Sequence, residues 1–425
     1  MNRRPISALA ELNPPLRRAL HDEHQVSFVS MADVDASGGI RSSRSVPFGT
    51  VKAGFTRFQD GDVLFAKITP CMENGKGALA AGLEGGVGCG STEFHVLRAI
   101  GENSSAYIYQ LLQWNSTRQS AEVLMSGSAG QKRVPTDFFR RHEVYAPEPG
   151  VQQRIAAVLA ALDNAIAATE ALIEKHQQIK AGLMHDLFTR GVLSDGSLRP
   201  SRRDAPDQYQ LTKAGWIPID WSLTTCEAVC GRVIDCKNRT PPETHEGAPV
   251  IRTPNVRHGE FVDDELVYTD PHSYAIWTSR GKPEVGDVVI TREAPVGEVC
   301  MIPERHQHAC LGQRTMLYRP SETLIDPRFF LFALQSSQIQ SRLDLISGGS
   351  TVGHVRVGDI RTLWMFQPKS MREQVCIAES LIRATQRLTS ERALRDKLRR
   401  QKLGLMQDLL TGKVRVKLPE PANLD

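Results

Sequence analysis

Cys300, His306, His308 and Cys310 fall within CMIPERHQHAC, which gathers four metal-ligating side chains in one short stretch. Thiolate and imidazole are zinc ligands, but structural zinc sites pair their ligands at short, regular spacings that this stretch does not follow. A metal-free strand-loop-strand is expected here, and Cys226, Cys230 and Cys236 carry the same expectation. Asn13-Pro14-Pro15-Leu16 could set an amide and a carbonyl against the amino group of a base rotated out of a duplex. That chemistry also needs an aromatic ring to stack on the base, and Leu16 stands where it would be. No glycine-rich loop after a strand is placed to hold a methyl donor, and no GxxxxGK[ST] string is present to drive translocation. Neither catalysis nor a cofactor is expected of this chain. The eight cysteines form no C-x-x-C pair, so reduced thiols are the default.

The elements that position the remaining polar residues are duplicated. GLMHDLFTRG begins at Gly182 and GLMQDLLTGK at Gly404, and 404 − 182 = 222. In the same register Gln152 matches Gln374, Ile155 matches Ile377, Leu159 matches Leu381, Ile166 matches Leu388 and Leu187 matches Leu409. Ile155, Leu159, Leu162, Ile166, Ile173, Leu183 and Leu187 fall at alternating steps of four and three, as do many of their counterparts up to Leu409, which is the seam of a coiled coil. No proline interrupts Gln152 to Phe188 or Arg372 to Leu410, so two rods of roughly 55 Å are expected. His176, Lys180, Glu391, Arg395 and Lys402 sit at or near the seam, either snorkelling or setting register between two dissimilar helices. RALRDKLRRQK, Arg392 to Lys402, makes the second helix basic; such a run is a solvated face or meets phosphates or an acidic partner.

Each helix follows about 150 residues rich in glycine, proline and short apolar runs, read as mixed α/β with many short strands. GDVLFAKITP (Gly61 to Pro70) is echoed by GDVVITREAP (Gly286 to Pro295), with Lys67 and Arg292 at the same place. MSGSAGQKRV (Met125 to Val134) is echoed by ISGGSTVGHVRV (Ile346 to Val357). The fold class is α+β: two similar mixed α/β domains and two long antiparallel coiled-coil helices, related by a pseudo-two-fold repeat. The expected boundaries are 1–147 and 209–368 for the domains, 148–190 and 369–415 for the helices, 191–208 for a linker and 416–425 for a tail. A length of 425 residues with 40% hydrophobic and 24% charged residues supports a multidomain globular chain. A net charge of +4 is too weak to identify a nucleic-acid partner, although its sign permits one. MNRRPISALAELNPPL lacks the apolar core of a secretory signal, and no apolar run of about 20 residues is evident, so a cytoplasmic protein with no membrane partner is expected.

FVSMADV (Phe28 to Val34), FQDGDVLFAKITPCMENGKGA (Phe58 to Ala78), GSTEFHVLR (Gly90 to Arg98) and GSAGQKRVP (Gly127 to Pro135) resemble the first target-recognition domain of type I restriction-modification specificity subunits. GWIPIDW (Gly215 to Trp221), GDVVITREAPVGEVCMIPE (Gly286 to Glu304) and LGQRTMLYRP (Leu311 to Pro320) are similar to second recognition domains of that family. The resemblance implies a non-catalytic subunit whose domains each read half of a bipartite asymmetric site in double-stranded DNA. Its helices would fix the unread spacer and dock two modification (methyltransferase) subunits, with restriction/translocase subunits joining the full complex. Half-sites one DNA turn apart are about 34 Å from each other, within reach of such rods. The alternative is an autonomous DNA adenine methyltransferase using Asn13 to Leu16.

Base edges are read by Arg, Lys, Asn and Gln, and phosphates by Lys, Arg and glycine-loop amides. On that ground Lys67, Asn74, Lys76, Gln131, Lys132 and Arg133 are the DNA-binding candidates of the first domain, and Arg252, Arg292, Gln313, Arg314 and His354 those of the second. Leu183, Met184 and Leu187, with Leu405, Met406 and Leu409, are the candidates for docking the modification subunits.

Overall fold

The computed structural model describes residues 2–35, 38–128, 130–348 and 353–416. It divides into two units, Met1–Ala171 with Arg392–Asp425 and Leu172–Glu391. The long helices are Pro149–Thr189 and Met371–Leu409, so each unit holds the beginning of one and the end of the other.

In the first unit, Phe94–Ala99 lies between Ala10–Leu12 and Val63–Ala66, with Gly77–Leu79 beyond, all antiparallel. A second sheet runs Arg44–Pro47, Gln25–Val29, Val87–Gly90, Thr56–Gln59, and its inner pair is parallel. Val63–Ala66 is buried at every position, as a continuous apolar run bounded by turn signals requires. The turn into it uses Gly61 at φ +86°, a conformation open to glycine, and Asp62 accepts the Gln59 amide at 2.8 Å.

The second unit repeats the plan. Cys230–Asp235, Thr315–Pro320, Val288–Arg292 and Val296–Met301 form an antiparallel sheet. Val267–Thr269, Ala248–Ile251 and Cys310–Leu311 form another, whose Ala248–Ile251 and Cys310–Leu311 pair is parallel. Gly286 turns at φ +90° and Asp287 accepts the Glu284 amide at 2.8 Å. The duplication reaches single hydrogen bonds. Gln152 accepts the Ser104 amide and donates to the Pro147 carbonyl; Gln374 accepts the Asp326 amide and donates to the Pro368 carbonyl.

Each core is closed by the helix end of the other repeat. In the first unit Ile155 and Leu159 share a core with Met406, Leu409 and Leu410. There Lys402 pairs with Asp163 and Arg399 with Glu170, so the two segments run antiparallel. In the second unit Ile377, Ala378 and Leu381 share a core with Leu187 and Phe188. His176, Lys180, Glu391, Arg395 and Lys402 are half-buried, and the Lys402–Asp163 pair favours the register-setting reading of that seam position.

Two expectations need correction. Pro149–Thr189 is, by length and composition, apolar enough to cross a membrane. Alanines between the larger residues hide that run from the eye; its Ile155, Leu159, Leu187 and Phe188 are buried in the two cores. The segment 191–208 is also more than a tether. Val192 bridges Leu198, and its amide donates to Glu373 at 3.0 Å. Arg199 is buried and pairs with Asp220 at 2.9 Å, while the Tyr209 hydroxyl donates to the Pro200 carbonyl.

Candidate nucleic-acid interface

In the first unit Lys67 ends the buried strand Val63–Ala66. Its amide donates to the Glu93 carbonyl, its carbonyl takes the Val134 amide, and Thr69 donates to the Lys132 carbonyl. Ser126 and Arg133 exchange two backbone bonds, of 3.1 and 2.9 Å, which closes the glycine/serine loop. Lys67, Gln131, Lys132 and Arg133 are thereby brought to one edge, with Gln131 and Lys132 exposed. Arg133 is not an unengaged cation: its guanidinium grips Glu93 with Nη2 at 2.8 Å and Nε at 3.0 Å. Those hydrogen bonds hold the Glu93 carboxyl below its ordinary range, with the Lys67 charge adding to the effect.

Asn74 is exposed in the turn that follows. Lys76 is a correction to the simple expectation, because its ammonium donates to the Met31 carbonyl at 2.7 Å and so braces the turn. Arg118, absent from the candidates, is buried beneath this turn and donates to the Met72 and Gly75 carbonyls. It lies over the Phe65 ring. A helical arginine between two polar residues gives no local sign of that role.

The second unit rebuilds the edge with its charges exchanged. Arg292 donates its amide to the Arg314 carbonyl and accepts the Val355 amide, as Lys67 does with Val134. His354 bridges Glu293 as Arg133 bridges Ile68. By spacing Arg314 stands where Glu93 does, since 314 − 93 = 221, and 354 − 133 = 221 places His354 at Arg133. The acid is now Glu293, which takes Arg314 Nε at 3.1 Å and His354 Nδ1 at 2.6 Å. Both edges therefore hold a basic group on a carboxylate, from opposite partners. Gln313 is exposed beside Arg314, whose φ is +72°.

Arg292 and Arg252 are corrected by their surroundings. Arg292 is only 6% exposed, lies 3.8 Å from Asp235 and leaves Nε without a hydrogen-bond partner, so it faces the interior. Arg252 is half-buried, donates to the Glu265 carbonyl at 2.6 Å and packs on the edge through Gly312. The six docking candidates also belong to cores. Leu187, Met406 and Leu409 are buried, while Leu183, Met184 and Leu405 pack against the same clusters and stay half-exposed.

Asn13 to Leu16 is structural. The Asn13 side-chain oxygen accepts the Val96 amide at 2.9 Å, and the Pro15 carbonyl accepts Arg98 Nη1 at 2.7 Å. These two acceptors are committed to the chain's own strand Phe94–Ala99. Of the suspected zinc set, Cys300 and Cys310 are buried in different clusters and His306 Nε2 meets Asp263 at 2.5 Å. Among the described residues no group of three or more His, Cys, Asp or Glu side chains could hold a metal.

Residues 15–179 match the model of the type I restriction modification DNA specificity domain. The chain is 37% identical over 188 residues to the type I restriction enzyme EcoEI specificity subunit of Escherichia coli, a match covering 43% of this chain and 32% of that relative. It is 23% identical over 363 residues to the putative type I restriction enzyme MjaX specificity subunit of Methanocaldococcus jannaschii, covering 84% of this chain and 79% of the relative. The crystal structure of a type I restriction-modification system S subunit from M. genitalium aligns over 96% of both chains at 16% identity with a TM-score of 0.58, a likeness of fold. The similarity at 30% identity or more is thus confined to part of the chain, which spans about a third of the length of the Escherichia coli relatives it matches at that level.

Proposed function

We propose that this chain, whose residues 15–179 belong to the type I restriction modification DNA specificity domain family, gives sequence specificity to a type I restriction-modification complex without itself being a catalyst. Each unit reads one half of a bipartite, asymmetric site in double-stranded DNA. The two long helices fix the unread spacer and carry two modification subunits, to which restriction/translocase subunits add, in the cytoplasm. The observation that carries this reading is the duplicated edge: the same strand ends and the same bridge recur, Ile68 with Arg133 and Glu293 with His354, filled by Lys67, Gln131, Lys132 and Arg133 in one unit and by Gln313, Arg314 and His354 in the other. One backbone frame with two different polar sets is what two different half-sites need. Duplicated helix ends likewise offer two similar surfaces to two copies of one partner.

The test is co-expression with a modification subunit, mass determination of the complex and sequencing-based mapping of methylated adenines. The expected result is a complex with two modification subunits per chain that methylates one split motif. A complex that methylates nothing, or methylation without this chain, would refute the assignment. Lys132→Ala should weaken DNA binding evenly across sequences and lower the salt slope by about one, the signature of a lost phosphate contact.

A further inference from the structure

The loop that leaves strand Cys230–Asp235 in the second unit carries Lys237 and Arg239, and both lie on one ring. Lys237 Nζ stands 5.7 Å and the Arg239 guanidinium 5.0 Å from the Trp277 ring centroid, and Trp277 Nε1 donates to the Arg239 carbonyl at 3.0 Å. Trp277 is buried, so it pins the loop from beneath while Arg239 stays exposed and Lys237 half-buried. Three residues beyond the ring, Arg280 donates to the Cys236 carbonyl at 2.8 Å and lies 3.3 Å from Asp235, and Arg232 donates to the Arg280 carbonyl at 3.0 Å. Four cationic side chains thus gather around one carboxylate, which Arg292 also shares, in a chain whose net charge is only +4.

A group of surface charges is ordinarily a solvated face. Here two of them rest on a buried ring, and among the described residues no hydrogen bond or ion pair holds the side-chain charge of either Lys237 or Arg239. Glu243, in the same loop, lies instead 3.8 Å from Arg252. Cations placed by an aromatic face and left unpaired are set for an anion at little ordering cost.

The patch borders the candidate interface. Asp235 lies opposite Met316 in the sheet, two residues from Arg314, whose carbonyl takes the Arg292 amide. One strand spacing of about 5 Å and two extended residues of at most about 7 Å keep the Asp235 and Arg314 backbones within about 12 Å, the width of a major groove. A duplex that offers base edges to Gln313, Arg314 and His354 therefore brings the phosphates bordering its groove to the patch.

We propose that Lys237 and Arg239, with Arg280 and Arg232 beside them, form a phosphate-backbone anchor that positions the duplex on the second unit. This rests on the DNA-reading function proposed above. The anchor supplies affinity and register, and the choice of bases stays with the edge.

The experiment uses the full-length chain, alone and co-expressed with the modification subunit, as wild type, Lys237→Ala, Arg239→Ala, the double variant and Arg239→Lys. Duplex affinity is measured against salt concentration, and duplexes selected from a random library are sequenced. Each alanine is expected to lower the salt slope by about 0.9 and the double variant by about 1.8. Between about 50 and 200 mM salt, each lost contact then takes a factor of about three out of the wild type's fall in affinity. Arg239→Lys should keep the wild-type slope, since a phosphate accepts either cation, and every variant should select the same half-sites. Should an alanine variant fail to melt cooperatively, Arg239→Gln, which keeps a polar side chain beside the ring, reads the same change of slope. An unchanged slope or an altered half-site overturns the anchor. So does lost recruitment of the modification subunit with duplex binding by the chain intact, which would make the patch a protein contact. A wild type that binds no duplex in either form overturns the DNA-reading function itself, a result distinct from the others.

Discussion

The two buried aspartates at the strand entrances offer a controlled comparison inside one molecule. Asp62 and Asp287 each accept a turn amide at 2.8 Å and each take a bidentate arginine, Arg98 and Arg319. The arginines differ in what remains when the aspartate is removed. Arg98 has 8% of its side chain exposed and would keep the Pro15 carbonyl. Arg319 is 22% exposed and would keep both the Glu284 carboxylate and the Lys282 carbonyl, each at 2.7 Å. Asp62→Ala therefore strands a buried cation, at a cost of about 3–5 kcal/mol. Asp287→Ala leaves its cation paired and loses mainly the turn bond, about 1–2 kcal/mol. For units of this size a difference of about 2 kcal/mol corresponds to roughly 4–8 °C in the affected transition. Scanning calorimetry of the two variants against the wild type gives the comparison directly. Adding Arg98→Met to Asp62→Ala should recover much of the loss, because the unpaired charge goes with it. Equal destabilisation by the two alanines, or a larger one from Asp287→Ala, would show that residual pairing and exposure do not govern these sites.

Three further outcomes are expected. Gly191→Ala should destabilise the second unit severely, since φ is +68° and the new Cβ would stand 2.2 Å from Glu373 Oε1 and 2.8 Å from the Trp221 ring; tryptophan fluorescence melts check this, and a change within about 0.5 kcal/mol would contradict it. Burial pushes the Glu373 carboxyl above its ordinary 4.5 against the hydrogen bonds of Trp221 and Val192, so the folded state holds that proton more tightly than the unfolded one and loses stability as pH rises from 4.5 through the folded value. Glu373→Gln keeps an acceptor for both donors and should gain on the wild type between pH 4.5 and 7 in urea titrations; a wild type that gains instead would reverse the sign. Leu409→Ala should lower the first unit's transition and Leu187→Ala the second's, each by about 2–5 kcal/mol, although each leucine ends the helix that follows the other domain. Limited proteolysis would locate the loosened unit, and cleavage in the opposite unit would contradict the shared cores.

What the sequence determined by itself is what neighbouring residues decide among themselves. The three-four spacing from Ile155 to Leu187, the Gly-Asp turns before Val63 and Val288, and the Lys67–Arg292 correspondence depend on contacts a few residues apart, and their repetition in the second half of the chain made each legible twice. The α+β reading and the resemblance to specificity subunits came from those strings. Tertiary structure decided everything that depends on partners distant in the chain. Nothing local to Arg133 announces Glu93, 40 residues away, and nothing local to Asn13 announces the Val96 amide, 83 residues away. Arg292 and Lys67 share a sequence position, yet burial beside Asp235 separates their roles. Asp62 and Arg98 are 36 residues apart, and only packing made them an ion pair. The leucines of GLMHDLF and GLMQDLL were apolar by inspection. Whether they met a partner or closed a core depended on which helix end lay against which domain, and a seam pattern is silent on that because either arrangement buries the same residues.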